Sequence, residues 1–460
     1  MNELQKTDLK YIWHPCSQMK DYEELPPIVI KRGKGLYLYD IEGNGYADVV
    51  SSWWCNLLGH GNETINAAIH AQLEKLEHVI FANFSHEPAI RLCEQLAEIV
   101  PNGLSKFFFT DNGSAAIEVA MKMSFQYHDQ KGNLKKKKFM ALSNAYHGET
   151  LGALSVSGVD LYAKVYEPIL LEIIRIDGPD CYRCPFGKNK ESCQAECFVN
   201  VEKAMVKHGA EICAFLVEPL VQAAAGMKIY PSIYLKKLRE TCTKNEVHLI
   251  ADEIAVGFGR TGTMFACEQA NITPDMMCLS KGLTGGYMPM ALVVTTNEVY
   301  NTFYADYSEG KAFMHSHTYC GNPLSCSSAL AVLNVLKNEE ILKKAAIRAI
   351  YFKEKIDKAF GNHPFVGDIR HIGLIFALEL VMDKEKKEPF DPRKRIGYEI
   401  YKEALKMGVI LRPLGNVLYF NPPLIIEEKD IDFVVDVCQK AIDKVLTKNY
   451  EKYPKFSLKL

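Results

Sequence analysis

From about residue 65 to 295 the chain repeats one pattern, in which a segment of helical periodicity is followed by a short apolar run and then by small or polar residues. The runs are Lys106–Thr110, Lys138–Leu142, Ile212–Val217, Val247–Ala251 and Met276–Leu279. They are too short for core helices, and strands that alternate with helices lie parallel in one sheet. The pattern therefore predicts an α/β fold, a mainly parallel sheet covered by helices. Ligands of such sheets gather beyond the carboxyl ends of the strands. That rule singles out Asp111–Ser114, Tyr146–Gly148, Asp252 and Lys281.

After Pro323 a long helical stretch leads to a strand-like segment, Val366–Val381, a helix around Arg393–Lys406, a strand around Val409–Phe420 and a terminal amphipathic helix. This order reads as a smaller α+β domain. The hairpin-like Lys34–Asp48, turning at Glu42-Gly43-Asn44-Gly45, is expected to pack with it. The division expected is an N-terminal segment, 1–60, a large domain, 61–322, and a small C-terminal domain, 323–460.

A chain of 460 residues, 48% hydrophobic, can bury a substantial core. Its 54 basic and 56 acidic residues nearly cancel, which leaves no electrostatic footprint for nucleic acid or a membrane surface and points to small-molecule partners. The basic run Lys135–Lys138 reads as a solvated loop. No apolar h-region lies in the first ten residues and no run is long enough to span a bilayer, so a cytoplasmic protein is expected. Fourteen cysteines scattered through such a chain read as reduced thiols.

Each strand-end candidate has two readings. Lys281 ends an apolar strand and enters the glycine-rich Gly282-Leu283-Thr284-Gly285-Gly286, where a bulky group can approach the backbone; it is either an imine-forming lysine or a solvated strand end. Asp252 is a carboxylate for a protonated ring nitrogen or a helix N-cap. Gly113 and Ser114 stand where a helix follows a strand, so they make either a phosphate cradle at a positive helix end or an ordinary junction. Tyr146 offers an aromatic face to a ring or to packing.

Taken together, Asp111-Asn112-Gly113-Ser114, Tyr146-His147-Gly148, Glu218-Pro219, Asp252-Glu253, Gly257-Phe258-Gly259-Arg260-Thr261-Gly262 and Ser280-Lys281-Gly282 resemble the class III pyridoxal-phosphate aminotransferases over essentially the full length. The resemblance implies the type I pyridoxal-phosphate transferase fold and a homodimer with active sites at the subunit interface. It implies pyridoxal 5'-phosphate held by Lys281 as an imine, with Asp252 on the pyridine nitrogen, Gly113 and Ser114 on the phosphate and Tyr146 against the ring. It also implies phosphate contacts from His317 and Thr318 across the interface. Such a cofactor supplies the electrophile and electron sink that no protein side chain offers.

Within that family, Trp13-His14-Pro15, Ser51-Ser52-Trp53-Trp54, His86-Glu87-Pro88-Ala89, Arg412-Pro413-Leu414-Gly415 and Ala255 are similar to the biotin-pathway branch, which converts 8-amino-7-oxononanoate to 7,8-diaminononanoate. For that acceptor, Trp53 and Trp54 would line an apolar chain and Arg412 would clamp its carboxylate, with Arg260 and Ser316 as further substrate contacts. Core packing for the tryptophans and a surface ion pair for Arg412 are the alternatives. Cys16 departs from the aromatic residue usual in both the S-adenosylmethionine-using and the lysine-using enzymes, so the donor stays open between S-adenosylmethionine, which the Trp53-Trp54 and His86 segments favour, and lysine, which Gln18-Met19-Lys20-Asp21-Tyr22 favours. Cys181, Cys184, Cys193 and Cys197 have a spacing that zinc or an iron–sulfur cluster could use, but they read first as reduced loop cysteines without metal.

Overall fold

The computed structural model describes residues 1–189 and 192–450. The expected sheet is present with seven strands, in the spatial order Leu104–Thr110, Ala291–Thr296, Met276–Leu279, His248–Asp252, Ile212–Val217, Lys138–Leu142 and Ile174–Ile176. Neighbours are parallel except at Ala291–Thr296, which runs antiparallel to both strands it joins. That strand and Ile174–Ile176 are additions to the five read from the sequence. Every residue of Ile212–Val217 and of Met276–Leu279 is buried, as expected of strands covered on both faces. Each fully buried aliphatic side chain contributes about 1.5–3 kcal/mol over an exposed one.

The register places the functional strand ends together. Asp252 pairs with Cys278, so Asp252 and Lys281, three residues further along the neighbouring strand, emerge from the same edge of the sheet. Helix Gly113–Gln130 starts at that edge and packs Ala116, Val119, Ala120 and Met123 against the strands. Its N-cap is Asn112, whose side chain accepts the Ala115 N–H at 2.9 Å.

The C-terminal strands depart from expectation in two ways. Val366–Val381 is a hairpin, Val366–Ile372 against Ile375–Asp383, because Gly373 takes a left-handed φ of 53° where a Cβ would lie 2.5 Å from the Arg260 carbonyl oxygen. The segment Val409–Phe420 divides around the Arg412–Gly415 loop. Its second half, Val417–Phe420, pairs antiparallel with Ile375–Asp383. The first half, Val409–Ile410, pairs parallel with Gly45–Asp48, at the far end of a sheet that also holds Ile30–Lys34 and Tyr37–Asp40. Helices Ile396–Lys406 and Glu428–Tyr450 follow the expected order.

Lys136 corrects the solvated reading of its basic run. It is buried, and its ammonium donates to the carbonyls of Gly209, Ile212 and Asn245 at 3.1, 3.1 and 2.9 Å. A buried ammonium must have such partners, and three carbonyls at one point supply them. Among the described residues no helix is long and apolar enough to cross a membrane.

Candidate active site

The carboxyl edge of the sheet, the N-terminal segment and the C-terminal loop enclose a cavity of about 430 Å³. It brings together Gly113, Ser114, Tyr146, Asp252 and Lys281 from the sheet side with Trp53 and Trp54 from the N-terminal side and Arg412 from the C-terminal side. Cys16 and Ala255 also line it, whereas Arg260, Ser316, His317 and Thr318 do not.

Asp252 is 5% exposed. Its Oδ2 lies 2.8 Å from His147 Nδ1, and its Oδ1 accepts the Ile254 N–H at 3.1 Å. The N-cap alternative fails because turns, not a helix, follow it. His147 is the functional neighbour that sequence reading did not assign. It is buried, and its Nε2 has no partner among the described residues.

Lys281 has a left-handed φ of 47°, which turns the chain sharply as it leaves the strand. Its Nζ sits 4.7 Å from the centroid of the Trp54 ring, a cation–π contact. Burial holds its ammonium below the usual lysine range, opposed by the charges of Asp252, Cys55 and Glu218. The neutral amine is the form that attacks a carbonyl or takes a proton.

Glu218 lies behind Tyr146, accepting the Tyr146 N–H and the Ala223 N–H at 2.9 Å each. Burial pushes its carboxyl up to about 7. The Tyr146 hydroxyl donates to Glu149 Oε1 at 2.9 Å, and burial raises that phenol above its ordinary range. Ser114 Oγ bonds Thr150 Oγ1 at 2.8 Å and accepts the Thr150 N–H at 3.1 Å.

At the other end, the Arg412 guanidinium stacks on the Trp53 ring, 4.3 Å from its centroid, and donates to the Cys16 carbonyl at 3.5 Å. Among the described residues it has no acidic partner, so the surface ion-pair alternative fails. Trp54 is buried and its Nε1–H donates to the Tyr419 hydroxyl at 2.9 Å, whereas Trp53 is 44% exposed, so core packing accounts for one indole and not the other.

Residues 18–442 match the family described as aminotransferase class-III. The chain is also 45% identical, over 443 residues, to the adenosylmethionine-8-amino-7-oxononanoate aminotransferase of Geobacter sulfurreducens, a match that covers 96% of this chain and 98% of that one.

The chain is a class III aminotransferase.

Solved structures agree with it. The adenosylmethionine-8-amino-7-oxononanoate aminotransferase of Methanocaldococcus jannaschii superposes with a TM-score of 0.91 at 39% identity, covering 96% of this chain and 98% of that one. An omega transaminase of Pseudomonas jessenii in complex with PMP superposes with a TM-score of 0.92 at 32% identity, covering 97% and 99%. The expected type I fold is therefore borne out, and the cofactor of the aminotransferase is pyridoxal phosphate.

The cavity suits that group. Gly113 opens the helix beneath Ile254, where a Cβ would meet Ile254 Cδ1 at 2.9 Å. Gly148, at φ 127°, lies so close to Ser114 that a Cβ would stand 2.3 Å from its hydroxyl oxygen. The start of this helix, with the Ser114 hydroxyl held by Thr150 beside it, leaves a bare corner of the kind that could take an anion. The Asp252 carboxylate, braced by His147, supplies the acceptor that a protonated ring nitrogen needs.

Four residues named from the sequence stand elsewhere. Arg260 is fully buried, donating to Pro422 O and, at 3.4 Å each, to Ser51 Oγ and Asn56 O. Its guanidinium is consumed in tying chain segments together, which removes it from substrate contact within this chain. Ser316 and Thr318 are exposed, and His317 Nδ1 faces Asp111 Oδ2 at 3.3 Å. The four loop cysteines share a separate cavity of about 20 Å³ and form no disulfide. Their sulfurs do not gather as a ligand set; among the described residues the one group whose donor atoms lie within 4.8 Å of one another is Asp111, His317 and Cys320.

Proposed function

We propose that this aminotransferase converts 8-amino-7-oxononanoate to 7,8-diaminononanoate in biotin biosynthesis, with S-adenosylmethionine as the amino donor. The observation that carries the reading is one cavity lined by Lys281 against Trp54 and by Arg412, which has no acidic partner among the described residues, against the neighbouring indole of Trp53. A long apolar acceptor ending in a carboxylate matches that order of surfaces. Relatives of the same printed name, 38–45% identical over nearly the whole chain, support it.

In this reading Lys281 would hold the cofactor through its amine and, when released, would take and return a proton at the donor carbon. When bound, pyridoxal phosphate would supply the electron sink for that chemistry. Asp252 would keep the ring nitrogen protonated, Tyr146 would offer its face to the ring, and Gly113 and Ser114 would take the phosphate. His317 and Thr318 of the partner subunit complete the phosphate site in a cytoplasmic homodimer, where Ser316 also approaches the substrate.

Lysine as donor is the second reading, supported by the resemblance of Gln18-Met19-Lys20-Asp21-Tyr22 to the lysine-using branch. Cys16, whose thiol lies at the cavity wall 3.9 Å from Glu149 Oε1, matches the aromatic residue of neither branch and leaves the donor to the test. The test supplies each donor separately to cofactor-loaded enzyme with 8-amino-7-oxononanoate and measures diaminononanoate by mass spectrometry. Product with S-adenosylmethionine alone is expected. Product with lysine alone reassigns the donor. Turnover of simple ω-amino acids, with none of this acceptor, removes the biotin assignment.

A further inference from the structure

Ser51, Ser52, Trp53 and Trp54 have φ values of 50°, 45°, 76° and 71°. Four consecutive non-glycine residues in the left-handed region are unusual, because each crowds its Cβ against the following carbonyl. Such a turn persists only where its surroundings hold it, and left-handed strain of this kind clusters at functional sites. The holding group here is Asp48, a carboxylate 1% exposed. It accepts the N–H groups of Val50 and Ser52 at 3.3 and 3.1 Å and the Ser52 hydroxyl at 2.6 Å, and it meets His60 Nε2 at 3.0 Å. The turn closes with Trp54 N–H on Val50 O and Cys55 N–H on Ser51 O, both at 2.9 Å.

Two placements follow from this one turn. It sets the Trp54 face against Lys281 and the Trp53 face against Arg412, at 4.7 and 4.3 Å. Asp48 is also tied to the arginine through the backbone, since Ile410 pairs with Asp48 in a parallel ladder and Arg412 lies two residues beyond. Both cations of the cavity thus face indoles of the turn that this one carboxylate holds.

We infer that Asp48 is a positioning residue, which by holding the left-handed turn Ser51–Trp54 fixes the separation of Lys281 from Arg412 and so selects the chain length of the acceptor. The chain-length consequence rests on the carboxylate acceptor proposed above, whereas the clamp on the indoles does not. A misplaced carboxylate clamp costs a ligand whose two ends must be satisfied together, and one methylene in a fitted apolar pocket is worth on the order of tenfold or more in kcat/KM.

The experiment uses holoenzyme in a Trp13→Phe background, Trp13 being 81% exposed, so that the near-ultraviolet circular dichroism of tryptophan reports the two turn indoles. The variants are Asp48→Ala, Asp48→Asn, and Asp48→Ala combined with Ser52→Gly, since glycine adopts the left-handed conformation without strain. Each is assayed with 8-amino-7-oxononanoate and with its homologues one methylene shorter and longer. Asp48→Ala is expected to lose the tryptophan band and to bring the kcat/KM ratio between homologues down roughly tenfold, towards unity. Asp48→Asn, which keeps an acceptor for the two amides, should retain most of both signals, and Ser52→Gly should restore them in the alanine variant. An unaltered band and ratio in Asp48→Ala, or no recovery with Ser52→Gly, overturns the inference. If Asp48→Ala does not fold, Ser52→Ala decides it, because it removes only the 2.6 Å hydroxyl contact with Asp48: a weakened tryptophan band with a lowered ratio supports the inference, and an unaltered band and ratio overturn it. If the parent enzyme turns over neither 8-amino-7-oxononanoate nor either homologue, the acceptor assignment fails, and the tryptophan band alone decides the clamp.

Discussion

Lys281 must be neutral to react yet lies beside an aromatic face that attracts its charged form, and burial acts against that form, lowering its pKa. Replacement by alanine, Lys281→Ala, is expected to abolish turnover in a coupled assay while far-ultraviolet circular dichroism stays unchanged. Glu218 works in the opposite sense. Its folded-state carboxyl titrates near 7 against 4.5 for the free group, so between those values the folded protein keeps a proton that the unfolded chain releases. Its contribution to stability therefore falls as pH rises through that window, by an amount of order 3 kcal/mol. The Tm of Glu218→Gln relative to the parent should climb over the same range, on top of a constant penalty for one lost amide acceptor. Arg412→Lys removes both the stacking plane and the fork, and the KM for a carboxylate acceptor should rise roughly 10- to 100-fold with kcat little changed. At this scale the meeting of Lys281, Asp252 and Gly113 at one cavity was legible from strand ends and junctions, whereas Arg412 was reached through the family resemblance. His147 was singled out within Tyr146–Gly148 but given no role, since its partner Asp252 is 105 positions away. Arg260, named as a substrate contact, is buried instead among carbonyls that only the folded chain brings together.

Between elements, the cradle depends on two segments meeting without a side chain between them. Gly148→Ala would push a methyl group to 2.3 Å from Ser114 Oγ and 2.9 Å from its Cα, at a φ that L residues avoid. A cost of about 1–3 kcal/mol should appear as a 10- to 100-fold loss of pyridoxal phosphate affinity by equilibrium dialysis. The parallel strands were legible because continuous apolar runs separated by helices admit little else. Ala291–Thr296 was missed although its run Ala-Leu-Val-Val-Thr-Thr carries the same signal, because it follows a loop with no helix before it. The left-handed turn at Ser51–Trp54 carries no glycine, so nothing local announces it.

Over the whole molecule, residues such as Ile80, Phe84, Leu161, Val165 and Met314 are exposed at 60–87%. Isolated exposed apolar residues are ordinary, but this number of large ones suits a surface covered in a homodimer. If His317 and Thr318 serve the neighbouring subunit's cofactor, mixing the inactive Lys281→Ala chain with a His317→Ala/Thr318→Ala chain should regain activity through hybrid dimers with one intact site. Absence of any recovery after confirmed subunit exchange would place every site within a single chain.

The pairing of Gly45–Asp48 with Val409–Ile410 has a consequence in time. A ribosome releases the first strand hundreds of residues before its partner, a wait of tens of seconds at roughly 5–20 residues per second. Throughout that interval the strand edge and Trp54 lack their C-terminal cover, and a nascent chain with a finished sheet still has no substrate pocket. The pocket is therefore completed only once Val409–Phe420 is made, so a chain that stops before that segment is expected to be inert rather than an unselective transaminase.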